Sequence, residues 1–147
     1  SEHYPYWRQE LHLTEMTYGA FGENFTTCGL LEDEVCIGDV FKAGETIVQV
    51  SQPRQPCWKI ERRWGIKDFV VRMKQTGRTG WYFRVLQEGY AEAGNIFVLT
   101  ERPFPQYTVA IAYGIMRNRN IHTKEAQALA QCPALSPRWQ ENLRSVK

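Results

Sequence analysis

The chain has 147 residues, of which 43% are hydrophobic, 13% aromatic and 23% charged, the composition of one ordinary globular domain or of a domain with a small appendage. Five Trp, seven Tyr and seven Phe supply enough apolar surface for a core, which excludes disorder. Eighteen basic against sixteen acidic residues leave a net charge of +2, too slight to point to nucleic acid, and the longest apolar run, 109–116, is far short of the about 20 residues a membrane helix needs.

Residues 1–10 are polar, aromatic and charged, unlike a secretory signal. The cysteines at 28, 36, 57 and 132 form no CxxC pair, and His3, His12 and His122 show no metal-ligand spacing. A reducing compartment, the cytoplasm, is the expected location.

Tyr4, Trp7 and Leu11 fall at i, i+3 and i+7, which predicts a short amphipathic helix at the start. Residues 35–41 and 46–51 read as two strands of a hairpin joined across Lys42-Ala43-Gly44-Glu45, with Thr46, Val48 and Val50 on one face. The prolines of 52–58, QPRQPCW, argue against a central strand there. Ile66, Phe69, Val70 and Met73 mark a helix that Gly77 stops. Residues 80–87 and 95–101 return to strand chemistry, and the two prolines of 102–106 end the last strand. Beyond them the period is helical. Val109, Ala112, Tyr113 and Met116 form one face, Thr123 is expected to cap a second helix carrying Ala126, Leu129 and Ala130, and Ser136-Pro137 opens a third with Trp139 and Leu143. The layout is mainly β with one inserted helix, 1–102, followed by a small three-helix domain, 103–147, too slight to form a core alone.

The segment 52–57, QPRQPC, is the stretch richest in chemistry. Cys57 follows a proline among Arg54, Lys59, Arg62 and Arg63, and neighbouring cations favour the thiolate, which is both nucleophile and soft metal ligand. The same pattern suits a small thiol buried in a rigid turn. Cys36 and Cys132 lack such a setting and read as packing residues. No histidine lies near Cys57 in sequence to make a nucleophilic pair. At 77–80, GRTG, two glycines let backbone N–H groups approach an anion and Arg78 can add a bidentate phosphate contact; a helix stop before a strand is the plainer alternative. Asn24 is either an amide that reads the edge of a heterocycle or a turn residue. The run 58–64, WKIERRW, mixes aromatics and cations as a nucleic-acid surface does, but the acidic run 32–34 balances it, and a solvated face at the turn before the helix is expected.

Taken in order and spacing, Gly19-Ala20-Phe21-Gly22-Glu23-Asn24-Phe25, Gly29-Leu30, Ile37-Gly38-Asp39, QPRQPC at 52–57 and GRTGWYFRVL at 77–86 resemble the MOSC family, the molybdenum cofactor sulfurase C-terminal domain. Within it they are similar to the YiiM-like branch, named for resistance to hydroxylaminopurine. The tail segment 134–139, ALSPRW, resembles the three-helix domain appended to that branch. The resemblance covers nearly the whole chain and implies a β-barrel whose pocket holds a molybdenum-pterin cofactor. Family members begin with further strands and a Gly-Asp…His-Gly-Gly element that this sequence lacks. The barrel is therefore expected to be incomplete at its N-terminus, with one wall of the pocket missing.

By the same resemblance Cys57 is the catalytic residue and the molybdenum ligand. Arg54 and Arg78 become candidates for the cofactor's phosphate, Thr79 and Gly80 for hydroxyl and backbone donors, and Asn24 and Gln52 for contacts to the pterin or the metal's oxygen ligands. The implied activity is reduction of N-hydroxylated compounds such as hydroxylaminopurines to amines. A separate reductase would supply the electrons, since no flavin, haem or iron–sulfur motif is present. The alternative is a non-enzymatic carrier in which Cys57 holds sulfur or the cofactor for delivery elsewhere. An incomplete, aromatic-rich surface points to a homodimer, with the helical tail as an interaction module; neither nucleic acid nor membrane is an expected partner.

Overall fold

A computed structural model describes residues 1–145. The chain forms two compact units, each drawn from two stretches: 1–31 with 56–78, and 32–55 with 79–147.

The first unit is helical. α1 (His3–Glu10) buries Tyr4 and Trp7, the face its spacing predicts, and α3 (Phe69–Thr76) buries Phe69, Val70 and Met73. These side chains meet Met16, Ala20 and Ile60 in one cluster, with the Trp7 ring edge-on to Phe69 at 5.0 Å. The Trp7 indole N–H is buried without a partner among the described residues. α3 ends at Gly77, whose N–H returns to the Met73 carbonyl, but begins three residues after Ile66, because Asp68 sits at φ 64° and breaks the helical path. The basic-aromatic run is helix rather than turn: α2 (Lys59–Trp64) anchors itself through Ile60 and lays the Arg62 guanidinium over the Trp58 ring at 5.9 Å.

Between α1 and residue 27 the chain has no regular structure, and Glu23 organises it. Its carboxylate accepts the Tyr4 hydroxyl, the N–H groups of Gly19 (2.8 Å) and Phe21 (3.0 Å), and the Thr26 hydroxyl (3.0 Å). Burial pulls the Glu23 carboxyl upward, but the bonds from Tyr4, Gly19 and Thr26 outweigh it and hold the group below the usual carboxylate range. Burial, together with Glu23, pushes the Tyr4 phenol up to about 12.

The second unit holds β1 (Val40–Ala43), β2 (Thr46–Pro53), β3 (Trp81–Gln87) and β4 (Val98–Glu101) in one antiparallel sheet of order β3-β2-β1-β4. The expected hairpin joins β1 to β2 with Ala43 opposite Thr46. Gly44 at its turn has φ 59°, and a Cβ there would stand 2.5 Å from the Tyr90 carbonyl oxygen. Val48 and Val50 are buried on one face, and Phe41, Phe83 and Phe97 pack against one another with centroids 5.9 to 6.2 Å apart.

Several sequence expectations need correction. β2 runs two residues into the proline segment, since Pro53 closes the strand after a register shift between Val50 and Gln52 and is needed there as an acceptor only. The strand expected at 35–41 starts at Val40; before it only Cys36 makes an isolated bridge, to Thr108. β4 begins at Val98 rather than at 95. The sheet is open, with β3 and β4 as its edges, so the described residues do not form a closed barrel. Nor is the chain mainly β: helices hold about twice as many residues as strands. Apolar side chains on the edge strands, among them Val85, Leu86, Val98 and Leu99, remain exposed.

α4 (Val109–Arg117), α5 (Thr123–Leu129) and α6 (Pro137–Arg144) bury the residues expected of them and belong to the same compact unit as the sheet. Thr108 and Ser136 cap α4 and α6 through their side chains, whereas Thr123 is the first helical residue of α5 and no side chain caps it. The Val109 N–H reaches the Val35 carbonyl at 2.8 Å, and the Ser136 N–H reaches the Ser51 carbonyl at 3.0 Å.

Asp39 has no exposed surface. Its carboxylate accepts the Cys36 N–H at 2.9 Å and both Nε and Nη2 of Arg102, the latter at 2.7 Å. Burial and the nearby Asp39 charge push the Cys36 thiol up, and the hydrogen bond to Asp39 raises Arg102.

Two outcomes follow from these carboxylates. Glu23 contributes stability above the ordinary carboxylate pKa and loses it as pH falls through its depressed value, while the neutral Tyr4 contribution is complete below the ordinary phenol pKa and is lost as pH rises through about 12. Tyr4→Phe should cost about 1–3 kcal/mol near neutrality, weaken the acid limb and abolish the alkaline one, as read by urea unfolding across pH. Asp39→Asn leaves Arg102 facing a neutral group and should cost about 3 kcal/mol, read as a lower urea midpoint at unchanged slope; a loss below the error of that measurement would show that solvent satisfies Arg102 instead.

Candidate functional site

Two of the four cysteines, Cys36 and Cys132, are buried; Cys28 and Cys57 are exposed. Both packing assignments agree with the sequence, but Cys57 is not the buried small hydrophobe that its rigid setting also allowed. Pro56 beside it is buried, so the segment is pinned while the thiol stays open to solvent. The Cys57 carbonyl accepts the Ile60 N–H at 3.2 Å and the Trp58 carbonyl accepts the Arg62 N–H at 3.1 Å, so Cys57 stands immediately ahead of α2.

The remaining candidates fall into two groups, one in each unit. In the first unit Asn24 is exposed on the loop that Glu23 holds. α2 grips the same loop, with Arg63 Nη1 donating to the Gly19 carbonyl at 3.0 Å and Trp64 Nε1 to the Ala20 carbonyl at 3.1 Å. One helix therefore fixes both the segment that begins at Cys57 and the loop that carries Asn24. Arg78 is half-buried: its guanidinium lies 4.4 Å above the Tyr6 ring and 3.2 Å from His3 Nδ1. A cation held over an aromatic face is pre-oriented, so less freedom is lost when a phosphate meets it.

In the second unit Gln52, Arg54, Thr79 and Gly80 come together where β2 ends and β3 begins. Gln52 pairs with Tyr82 across the ladder, and the Arg54 N–H donates to the Gly80 carbonyl at 2.9 Å. Thr79 is buried, and its hydroxyl reaches the Gly80 carbonyl at 3.4 Å. The Gly80 N–H, expected to be a ligand donor, is committed to the carboxylate of Glu32 at 2.8 Å. Gly80 keeps another property that suits a site: its φ is 72° and nothing lies within 4 Å of where a Cβ would be.

Three residues that shape these groups escaped the sequence reading. Glu32 is buried although it opens the acidic run taken to balance surface charge. Glu23 lies inside the glycine motif, where a carboxylate is a natural acceptor for the N–H groups a tight loop leaves unpaired. Ser136 was recognisable only as a helix cap.

A metal-pterin cofactor brings its own sulfur ligands and asks the protein for one soft donor, which a single exposed thiol can give. A bare metal ion asks for several ligands, and no group of three or more His, Cys, Asp or Glu able to hold one occurs among the described residues. The exposed Cys57 thiol is a donor that fits such a cofactor. No described helix is long and apolar enough to cross a membrane.

Known proteins with the same pattern extend the comparison. YflK of Bacillus subtilis (strain 168) is 41% identical over all 147 residues of this chain, which cover 66% of it. A protein of Gibberella moniliformis named reductase is 38% identical over 137 residues, 91% of this chain and 24% of that one. The crystal structure of YiiM from Geobacillus stearothermophilus superposes with a TM-score of 0.94 at 43% identity, covering 97% of this chain and 73% of that one. The chain thus spans just under two thirds of YflK's length and about a quarter of the reductase's. Residues 1–97 match the MOSC domain, and the chain belongs to the MOSC domain family.

Proposed function

We propose that this chain is the cofactor-holding part of a molybdenum-dependent reductase of N-hydroxylated compounds, hydroxylaminopurines among them, with Cys57 as the protein's ligand to molybdenum. The observation that carries the reading is an exposed Cys57 on a rigid, proline-braced segment while Cys36 and Cys132 are buried. Membership of the MOSC family supports the cofactor, and a relative named reductase supports the class of reaction. The open sheet is read as part of a barrel that further strands, within the extra length of the relatives, would close.

When bound, the cofactor supplies two-electron exchange and the acceptor for the substrate oxygen. The net reaction takes R–NHOH, two electrons and two protons to R–NH2 and water. The electrons are assigned in this reading to a separate reductase. Cys57 contributes one soft sulfur. Arg78, whose guanidinium lies over the Tyr6 ring, and Arg54, anchored by its backbone at Gly80, are each a candidate to answer the charge of the cofactor's phosphate. Asn24 and Gln52 offer side-chain amides to the pterin or to the metal's oxygen ligands. Thr79 braces the Gly80 turn, and Gly80 itself serves by leaving room rather than by donating its N–H.

The test is the molybdenum and pterin content of protein purified from a molybdenum-replete host, for this chain and for one extended by the family's upstream strands. Cys57→Ala should remove the metal from both while the far-UV circular dichroism stays unchanged. Molybdenum retained after that substitution would falsify the ligand assignment. A persulfide on Cys57 without molybdenum in either chain would put the carrier reading in its place. Independently, iodoacetamide should label Cys28 and Cys57 in the native chain and reach Cys36 and Cys132 only after unfolding. Equal labelling of all four in native buffer would contradict the burial that separates them.

A further inference from the structure

Gln52 lies at the end of β2, and the N-terminal turn of α6 comes up to it from 84 residues away in sequence. The two backbones are tied there, since the Ser136 N–H donates to the Ser51 carbonyl at 3.0 Å. A second link runs through side chains: Ser136 Oγ and Gln52 Oε1 are 2.5 Å apart. That separation falls in the range of an O–H···O bond and is shorter than N–H···O bonds run. It sets the amide with its oxygen, not its nitrogen, toward the serine.

Proton counting agrees. The Ser136 hydroxyl oxygen accepts the Trp139 N–H at 3.4 Å, as a helix cap does, so its single proton remains to be given to an acceptor. Gln52 Oε1 takes it. Gln52 is only half-buried.

We propose that Ser136 is a positioning residue for the candidate site: by occupying the oxygen of the Gln52 amide it leaves the NH2 as the donor presented to an oxygen acceptor of the bound cofactor. The role rests on the proposed function, which makes Gln52 a cofactor contact. It gives the helical tail a part in the site that membership of the family does not specify. It also sets a polarity. A glutamine free to flip can meet a donor or an acceptor, whereas one held by Ser136 meets acceptors, which suits phosphate, pterin carbonyl or metal-bound oxygen and disfavours an ammonium or amide N–H.

Two measurements on the full chain separate this role from simple packing. In protein labelled with nitrogen-15, the Gln52 side-chain NH2 should be ordered in the wild type, become mobile in Ser136→Ala, and be restored in Ser136→Thr, which keeps the hydroxyl. Molybdenum content after growth in a molybdenum-replete host should fall about threefold to tenfold in Ser136→Ala, the range for one lost hydrogen bond, and recover in Ser136→Thr. Gln52→Glu keeps an acceptor for Ser136 but removes the donor. It should lose molybdenum at least as strongly while its thermal midpoint stays near wild type. A Gln52 amide equally ordered without the serine hydroxyl overturns the inference, and so does a released amide with undiminished molybdenum. A wild-type chain free of molybdenum, even with the upstream strands added, overturns the cofactor reading instead, and the order of the Gln52 amide then decides the Ser136 contact on its own.

Discussion

A carboxylate without solvent contact keeps its charge only if the chain delivers donors to it, and Asp39 draws one donor from a distant place and one from the turn beside it. Arg102 comes from just beyond β4, 63 positions away in sequence, and the Cys36 N–H comes from the turn before β1. Leaving such a charge unpaired costs several kcal/mol, so any arrangement of the sheet that separates these three residues is strongly disfavoured. Arg102 also donates to the Glu34 carbonyl at 3.0 Å, which closes the turn from its other side. Satisfying one charge thereby fixes where β1 starts, where β4 stops and which of its edges β1 turns to β4. The entry to the helical tail joins the same knot, since the Ile37 N–H reaches the Tyr107 carbonyl at 2.8 Å.

Glu23 and Glu32 repeat the device at the glycine motifs. Gly19, Gly22 and Gly80 all have positive φ, and chain bent in that way leaves N–H groups without strand or helix partners. Glu23 takes those of Gly19 and Phe21, and Glu32 takes that of Gly80. Glycine-rich turns are often read as anion cradles. Here at least three of the N–H groups already face the protein's own anions, which shifts the recognition of an anionic ligand toward side chains. Two arginines and two amides near these turns are then the more consequential residues, and the glycines matter for shape.

The elements legible in the sequence are those whose apolar period runs for two turns or alternates across a strand. Tyr4 with Trp7, Val48 with Val50, and Val109 with Ala112, Tyr113 and Met116 lie buried as their spacing requires. What stayed hidden depends on contacts distant in sequence. Residues 35–39 look like strand because Val35, Cys36 and Ile37 are apolar, but Asp39 ties the Cys36 N–H and turns the chain. α2 is six residues with one buried anchor, too short to show a period. The family likeness implies a barrel incomplete at its N-terminus, and the four strands form an open sheet that shows no barrel. In the candidate site, the segment around Cys57 was legible as chemistry but the exposure of its thiol was not, since prolines favour a rigid turn whether the thiol faces in or out.

Ser136 shows why a correct local reading can still miss a function. As a serine ahead of Pro137 it is recognisable as a cap, and it does cap α6. Capping uses a lone pair of the hydroxyl and leaves its proton unspent. Within a folded unit that proton must find an acceptor, and the identity of the acceptor, Gln52, is set by tertiary packing. The two bonds share one oxygen, so fraying of the α6 N-terminus would release the Gln52 amide as well as the helix end. Order at the end of β2 is therefore linked to order in the tail through a single atom. That linkage gives a physical reason for a sheet and three short helices to be held in one compact unit.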